Sequence, residues 1–401
     1  MSVNMNNSNA TRNEDIRPSM SPHGIIGYVA DEQRTFDELP FSRVDSLAFS
    51  QLSYFNRGEL DGIPLGFAFD NPVKIKDVFK LGDYTRMFGI ARYFDDNSAL
   101  YALMCVSRRW GDVRILNHCS IFDDDVDKQF SATTFLLPTG LVYVAFRGTD
   151  MTVTGWKEDF MLAFRKQIPS QTESTLYLDN VIRGIRDKMR QSELQRGYPL
   201  TGRMVVGGHS KGGNLAIYSA ATCAPHGFEM IDKIYDHDGP GFSREAMKLA
   251  NIGKVVGKVD KTVPVDSIVG VVLPDPCDYL VTLSNATGLD EHNPYHWRVV
   301  DGDFEYADEV SGISRLFGKT MDTWLSGLTK EQMATFTDAF FGILSAGKTT
   351  NLEDIDPSHI RDSAMYLRKM DPKMRKMFFD VFGKFFQTSA RNLLWELLSA
   401  N

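Results

Sequence analysis

Cysteine is scarce in this sequence: Cys105, Cys119, Cys223 and Cys277 are the only four in 401 residues, and they stand far apart. No Cys-x-x-Cys pair and no cluster of histidines accompanies them, which argues against a zinc module or a disulfide-stapled scaffold and leaves reduced, mostly buried thiols. Uninterrupted apolar runs are also short, none reaching the roughly eighteen residues of a membrane-spanning helix. The opening stretch, Met1 to Asp31, is polar, with Asn4, Asn6, Asn7, Ser8 and Asn9, and has no apolar core of the kind an export signal carries. A cytoplasmic, reducing location is the resulting expectation. Positive charge is in deficit, 44 Lys and Arg against 52 Asp and Glu, so no general attraction to a phosphate backbone is expected and nucleic acid is not an expected partner. A Gly-rich phosphate loop is missing as well, because Ser210-Lys211 reverses the order of that motif. Chemistry without a cofactor or metal is the expectation.

What the chain has is enough apolar material, 43% hydrophobic residues, for one large core with an accessory lobe. Three regions are expected: a disordered, polar N-terminal tail over 1–36, a catalytic domain over 37–304 and a helical C-terminal lobe over 305–401. Val44, Leu47, Ala48, Leu52 and Phe55 recur at helical spacing, with Asp37 and Ser42 as candidate caps. Further on, short β-branched runs alternate with helical patterns, the signature of a mostly parallel sheet flanked by helices. Leu141 to Phe146, Met204 to Gly207 and Lys233 to Tyr235 read as strands, and 175–192 and 211–222 as helices. After Asp301 helical patterns dominate, including 330–345 and 372–399.

The densest chemical signal is Gly208-His209-Ser210-Lys211-Gly212 between the strand-like Met204-Val205-Val206 and the helix-forming Asn214 to Tyr218. A strand that turns through Gly-x-Ser-x-Gly into a helix holds its serine in a tight, exposed turn, where flanking side chains would clash. The helix start then aims N–H groups and its positive dipole end at a developing oxyanion. Ser210 is therefore the candidate nucleophile. A second stretch, Val144 to Asp150, ends a buried strand at Gly148, and Thr149 offers its N–H and hydroxyl as oxyanion donors alongside the Lys211 N–H.

Phe146-Arg147-Gly148-Thr149, Trp156, Asp159 and Gly208 to Gly213 together resemble the class 3 lipases. More closely, Asp45-Ser46-Leu47, Gln51 to Tyr54, Asp236-His237-Asp238-Gly239-Pro240-Gly241-Phe242, Val263-Pro264 and Asp266 to Gly270 resemble the bacterial Mbeg-like family, over roughly Phe41 to Trp297 and, by expectation, the helical tail. The resemblance implies an α/β-hydrolase fold and a Ser, Asp, His triad with Ser210 as nucleophile, Asp266 as acid and His292 as base. One departure is Lys211, where those lipases carry an apolar residue. Read as a charge at the pocket mouth, it argues against simple triglyceride hydrolysis; the other reading is a salt bridge to a neighbouring acid.

Rivals stand beside each assignment. His296 lies four positions beyond His292, and His209 adjoins the serine but reads as a buried, hydrogen-bonded histidine behind the turn. Asp236 and Asp238 follow the nucleophile helix and suit either an acid or a cap on the Gly239-Pro240-Gly241 turn. Asp150 and Asp159 suit either orientation of the oxyanion loop or ordinary capping and surface roles. The expected activity is cleavage of a small-molecule carboxylic ester or thioester through an acyl-enzyme. The alternatives are a hydrolase-fold binding or scaffold protein without turnover, and a membrane-surface acyltransferase or lipase. The last draws on Phe378, Phe382, Phe385, Phe386, Leu393, Leu394, Leu397 and Leu398, an apolar stripe preceded by Arg368, Lys369, Lys373, Arg375 and Lys376. Such a stripe packs on a core or makes peripheral membrane contact.

Overall fold

The alternation of strand and helix patterns yields one nine-stranded mixed sheet in the computed structural model, which describes residues 23–54, 69–70, 72–78, 88, 93–150, 152–347 and 357–399. Strands β1 (Val73–Lys74), β2 (Arg114–Asp123), β3 (Lys128–Leu136) and β4 (Val142–Phe146) pair antiparallel. From β4 onward pairing is parallel through β5 (Met204–His209), β6 (Ile231–His237), β7 (Val259–Pro264) and β8 (Tyr279–Thr282). The short β9 (Val299–Val300) and β10 (Asp303–Phe304) form a separate ribbon, and β11 (Tyr306–Ala307) closes the main sheet antiparallel to β8.

Parallel strands need cover on both faces, and alternate side chains along β4 serve two separate cores. Tyr143 and Ala145 join a cluster with α1 (Ile25–Asp31), α2 (Arg43–Leu52) and α3 (Phe94–Val106). Val142, Val144 and Phe146 face a second cluster built with α4 (Pro169–Met189) and α5 (Lys211–Thr222). The sheet is thus less parallel than expected, with four parallel and four antiparallel pairings, but its parallel half flanked by helices, with a helical C-terminal region, is the α/β-hydrolase fold.

Part of the expected disordered N-terminal tail, over 25–31, is a helix. Residues 1–22 lie outside the described residues, but α1 buries Ile25, Tyr28 and Val29 in the first core. Seven residues with three apolar anchors were too brief a pattern to stand out from their polar surroundings. Helix α2 is capped by Ser42, whose hydroxyl accepts from the Asp45 N–H while the Asp45 carboxylate accepts from the Ser42 N–H. Asp45 also holds the guanidinium of Arg109, both side chains fully buried, at 2.6 Å.

In the C-terminal region, α6 (Gly312–Ser326), α7 (Lys330–Leu344), α8 (Pro357–Lys369) and α9 (Pro372–Ser399) share a third core around Trp324, Phe336, Phe378 and Val381. The boundary expected at 304/305 falls inside the sheet's closing edge, since β11 still pairs with β8. Phe378 and Phe385 of the expected stripe pack into this core, and the side chains of Leu393, Leu394, Leu397 and Leu398 lie outside the described residues. Among the described residues no helix is long and apolar enough to cross a membrane.

Candidate active site

Ser210 sits at the turn between β5 and α5 with φ 59° and ψ −133°, a backbone conformation that a residue with a side chain adopts only when its surroundings enforce it. The enforcement is visible. The Ser210 N–H donates to the His237 carbonyl at 2.9 Å, and the Ser210 carbonyl accepts from the Gly213 N–H at 2.9 Å. A side chain at Gly212 would strike the carbonyl of Phe146 at the end of β4, so glycine there is what lets α5 start directly behind the serine.

At the end of β4, Gly148 lies against the same turn: a Cβ there would come within 2.7 Å of the His209 carbonyl and 3.2 Å of Ser210 Cβ. The next residue, Thr149, donates its hydroxyl to Asp159 Oδ2 at 2.5 Å. That occupies the hydroxyl, which corrects its expected part in an oxyanion site and leaves the N–H for that part. Among the described residues no hydrogen bond takes up the N–H of Thr149 or of Lys211. Two free donors thus flank the serine, one at the positive end of α5.

Of the two readings of Lys211, the structure shows the salt bridge to a neighbouring acid and not a free charge at the cavity mouth. The side chain is 1% exposed, and its ammonium donates to Glu158 Oε2 at 3.1 Å and to the Gln129 side-chain and main-chain oxygens at 2.9 and 3.1 Å. Asp159 Oδ1 lies 3.5 Å away. Burial disfavours the charge on Lys211, but the carboxylates of Glu158 and Asp159 outweigh it and hold the ammonium above its ordinary range. The Asp159 carboxyl is pushed up to about 6 by burial, against the pull of Lys211 and the hydrogen bond from Thr149. Asp150 accepts from the Thr152 N–H and hydroxyl at 3.0 and 2.5 Å, anchoring the loop that leads into the helix Val153–Met161.

The structure separates the rival histidines and acids. His292 donates its Nδ1–H to Asp238 Oδ2 at 2.6 Å. The His296 ring meets the Asp290 carbonyl instead, at 3.3 Å. His209 is buried with Nε2 on the His292 carbonyl at 3.0 Å, its ring 4.7 Å from the His292 ring. It supports the loop that carries His292.

Asp266, the acid implied by the family resemblance, does not reach His292. Its N–H donates to Glu291 Oε2 at 2.6 Å and its carboxylate accepts from the Gly288 N–H at 2.9 Å, so it braces the loop from outside. Strand order explains this correction. β6 lies directly beside β5, with His237 in register with His209, so the residue after β6 falls one strand away from Ser210. Asp266 follows β7, one strand further out.

Asp238 is fully buried and takes a left-handed turn at φ 53°. Its Oδ1 accepts from Ser267 Oγ at 2.5 Å and the Gly270 N–H at 3.0 Å, which aims Oδ2 at the imidazole. Asp236 takes the capping role, accepting from the Gly239 N–H at 2.8 Å and facing Lys261 Nζ at 3.1 Å. Burial raises its carboxyl to about 6 against the attraction of Lys261.

Ser210 and His292 open onto one cavity of about 250 Å³. Its walls are largely apolar, with Trp156, Phe160, Val272 and Leu273 from the sheet domain and Phe317, Trp324 and Phe336 from α6 and α7. The C-terminal helices are thus the roof of the site, a role with no signal in the sequence beyond their apolar spacing. Among the described residues Ser210 Oγ makes no hydrogen bond, and no cluster of His, Cys, Asp and Glu suited to a metal ion occurs.

The model of the Mbeg1-like family matches residues 104–342, from α3 through the roof helix α7. Among solved structures, that of M37 lipase is similar to this chain with a TM-score of 0.38 and 14% identity, covering 58% of this chain and 70% of that one. No curated protein matches.

Proposed function

The chain belongs to the Mbeg1-like family, and we propose that it is a serine hydrolase cleaving a carboxylic ester or thioester with an apolar acyl group. The observation that carries the proposal is the 2.6 Å bond between His292 and a buried Asp238, beside a serine held at positive φ on the wall of an apolar cavity. A serine hydroxyl is a poor nucleophile until a neutral imidazole takes its proton, and a carboxylate fixes the tautomer that leaves Nε2 free to do so. With Nδ1–H given to Asp238, His292 is in that tautomer.

In the first step Ser210 Oγ attacks the acyl carbon as His292 Nε2 takes the proton, and the carbonyl oxygen gains the negative charge. The N–H groups of Thr149 and Lys211 receive it. His292 then returns the proton to the leaving alcohol or thiol, leaving an acyl group on Ser210. Water then attacks the acyl carbon as the same imidazole takes its proton, and when the bond to Ser210 Oγ breaks that proton returns to the serine and the acid is released. The Phe317, Trp324 and Phe336 walls hold the acyl chain by burial, at roughly 25 cal/mol per Å² of apolar surface removed from water.

Ser210 Oγ makes no hydrogen bond among the described residues, which favours one second reading, a binding protein of the same fold without turnover. Hydrolysis of p-nitrophenyl esters of increasing chain length separates the two. The hydrolase reading expects wild-type turnover that drops by at least about a thousandfold in Ser210→Ala; equal rates for the two proteins would sink it.

A further inference from the structure

The segment Asp266-Ser267-Ile268-Val269-Gly270, whose aspartate braces the His292 loop from outside, also grips Asp238. Ser267 Oγ and the Gly270 N–H both donate to Asp238 Oδ1, at 2.5 and 3.0 Å. A Cβ on Gly270 would stand 2.4 Å from that same oxygen, so only glycine brings its N–H there. A buried carboxylate needs a donor for each oxygen, and these two leave Oδ2 to His292.

This grip is itself held by the roof. The hydroxyl of Ser314, in the first turn of α6, donates to the Ser267 carbonyl at 2.6 Å, and both serines are buried. Just before α6 the Ser311 N–H donates to the Val265 carbonyl at 2.8 Å. One turn beyond Ser314, Gly318 lies so close to the loop that a Cβ there would come within 2.9 Å of the Val271 carbonyl. Three contacts thus fasten α6 along residues 265–271. A hydrogen-bonded path follows: Ser314 Oγ–H to the Ser267 carbonyl, Ser267 Oγ–H to Asp238, and His292 Nδ1–H to Asp238.

We propose that Ser314 and Ser267 are positioning residues through which the C-terminal roof sets the acid of the triad, so that catalysis at Ser210 requires α6 docked on the loop after β7. The proposal rests on the hydrolase reading. On that reading α6 has two separable duties. Phe317 walls the acyl cavity, whereas neither Ser314 nor Ser267 is among the residues lining it, so their loss leaves the hold on an acyl chain intact. Without the Ser314 bond the Ser267 peptide tilts, its hydroxyl leaves Oδ1, and the carboxylate turns away from His292 Nδ1–H. Proton transfer from Ser210 then loses its oriented base.

Hydrolysis of p-nitrophenyl acetate, whose acyl group is too short to fill the apolar walls, tests this with the full chain, and thermal melting checks folding. Ser267→Ala keeps the carbonyl that Ser314 binds and loses only the hydroxyl on Asp238, so kcat is expected to fall by about a hundredfold. Ser314→Ala is expected to lower kcat by about tenfold with KM changed less than about twofold. Ser314→Thr, which keeps the hydroxyl, is expected to stay near wild type. A part confined to holding the acyl chain would instead raise KM for longer esters and leave acetate turnover alone, which would overturn the proposal. So would folded Ser267→Ala with the kcat of wild type, and that variant decides alone if Ser314→Ala does not fold. In either case wild-type turnover that vanishes in Ser210→Ala would still uphold the hydrolase reading, whereas wild type without such turnover removes both.

Discussion

Asp238 meets His292 across 54 residues of sequence, Oδ2 to Nδ1 at 2.6 Å, while Asp266, nearer in sequence, braces the same loop from the other side. The two carboxylates can therefore be told apart by activity. Asp238→Asn is expected to lower kcat by about a thousandfold to ten-thousandfold, because the amide no longer fixes the tautomer or stabilises the imidazolium. Asp266→Asn keeps an acceptor for the Gly288 N–H and is expected to cost less than about tenfold. Steady-state kinetics with one ester substrate reads both.

Much of this site is legible in the sequence. The strand, glycine turn and helix around Ser210 are all local, so their pattern survives in the order of residues, and helix 211–222 falls where the spacing places it. What local pattern does not carry is which strand lies beside which. The partner of His292 depends on β6 running next to β5, a pairing between segments that no motif encodes. Lys211 shows the same limit, since its charge is evident but Glu158 and Gln129, the groups that bury it, come from two other elements. The roof helices were readable as amphipathic, but not the surface their apolar faces would cover.

Lys211→Met tests the buried ion pair. Removing the ammonium leaves Glu158 charged and fully buried, a change expected to cost about 3–5 kcal/mol of stability. Adding Glu158→Gln to the same protein is expected to recover part of it. Urea denaturation of the two variants beside wild type measures the difference, and equal midpoints for the single variant and wild type would contradict the pairing.

Gly148→Ala probes the contact between the loop after β4 and the nucleophile turn. The added methyl would press on the His209 carbonyl and Ser210 Cβ, so the turn must shift by some tenths of an ångström. Activity is expected to fall several-fold, since a displacement of about 1 Å costs about a hundredfold, with a smaller relative loss of thermal stability. Unchanged kcat/KM would show that the loop yields instead.

His237 predicts a pH dependence of stability. Burial lowers its imidazole from 6.5 to about 3, and it stays neutral with Nε2 on Ser46 Oγ at 3.0 Å. Between those values the unfolded chain holds a proton that the native chain does not, so this group's stabilisation is present above 6.5 and lost as pH falls toward 3. Asp236, raised from 3.8 to about 6, acts oppositely: its contribution is present below 3.8 and lost as pH rises through 6. His237→Gln is accordingly expected to lose less stability than wild type between about pH 7 and about pH 5. Parallel urea titrations at the two pH values provide the comparison.

Labelling by a fluorophosphonate probe tests the central claim most directly, because the probe bonds covalently only to a serine activated by its surroundings. Wild type is expected to label rapidly, Asp266→Asn nearly as fast, Asp238→Asn and His292→Ala slowly, and Ser210→Ala not at all. Folded wild type that takes up no label, or Ser210→Ala that labels like wild type, would contradict the account.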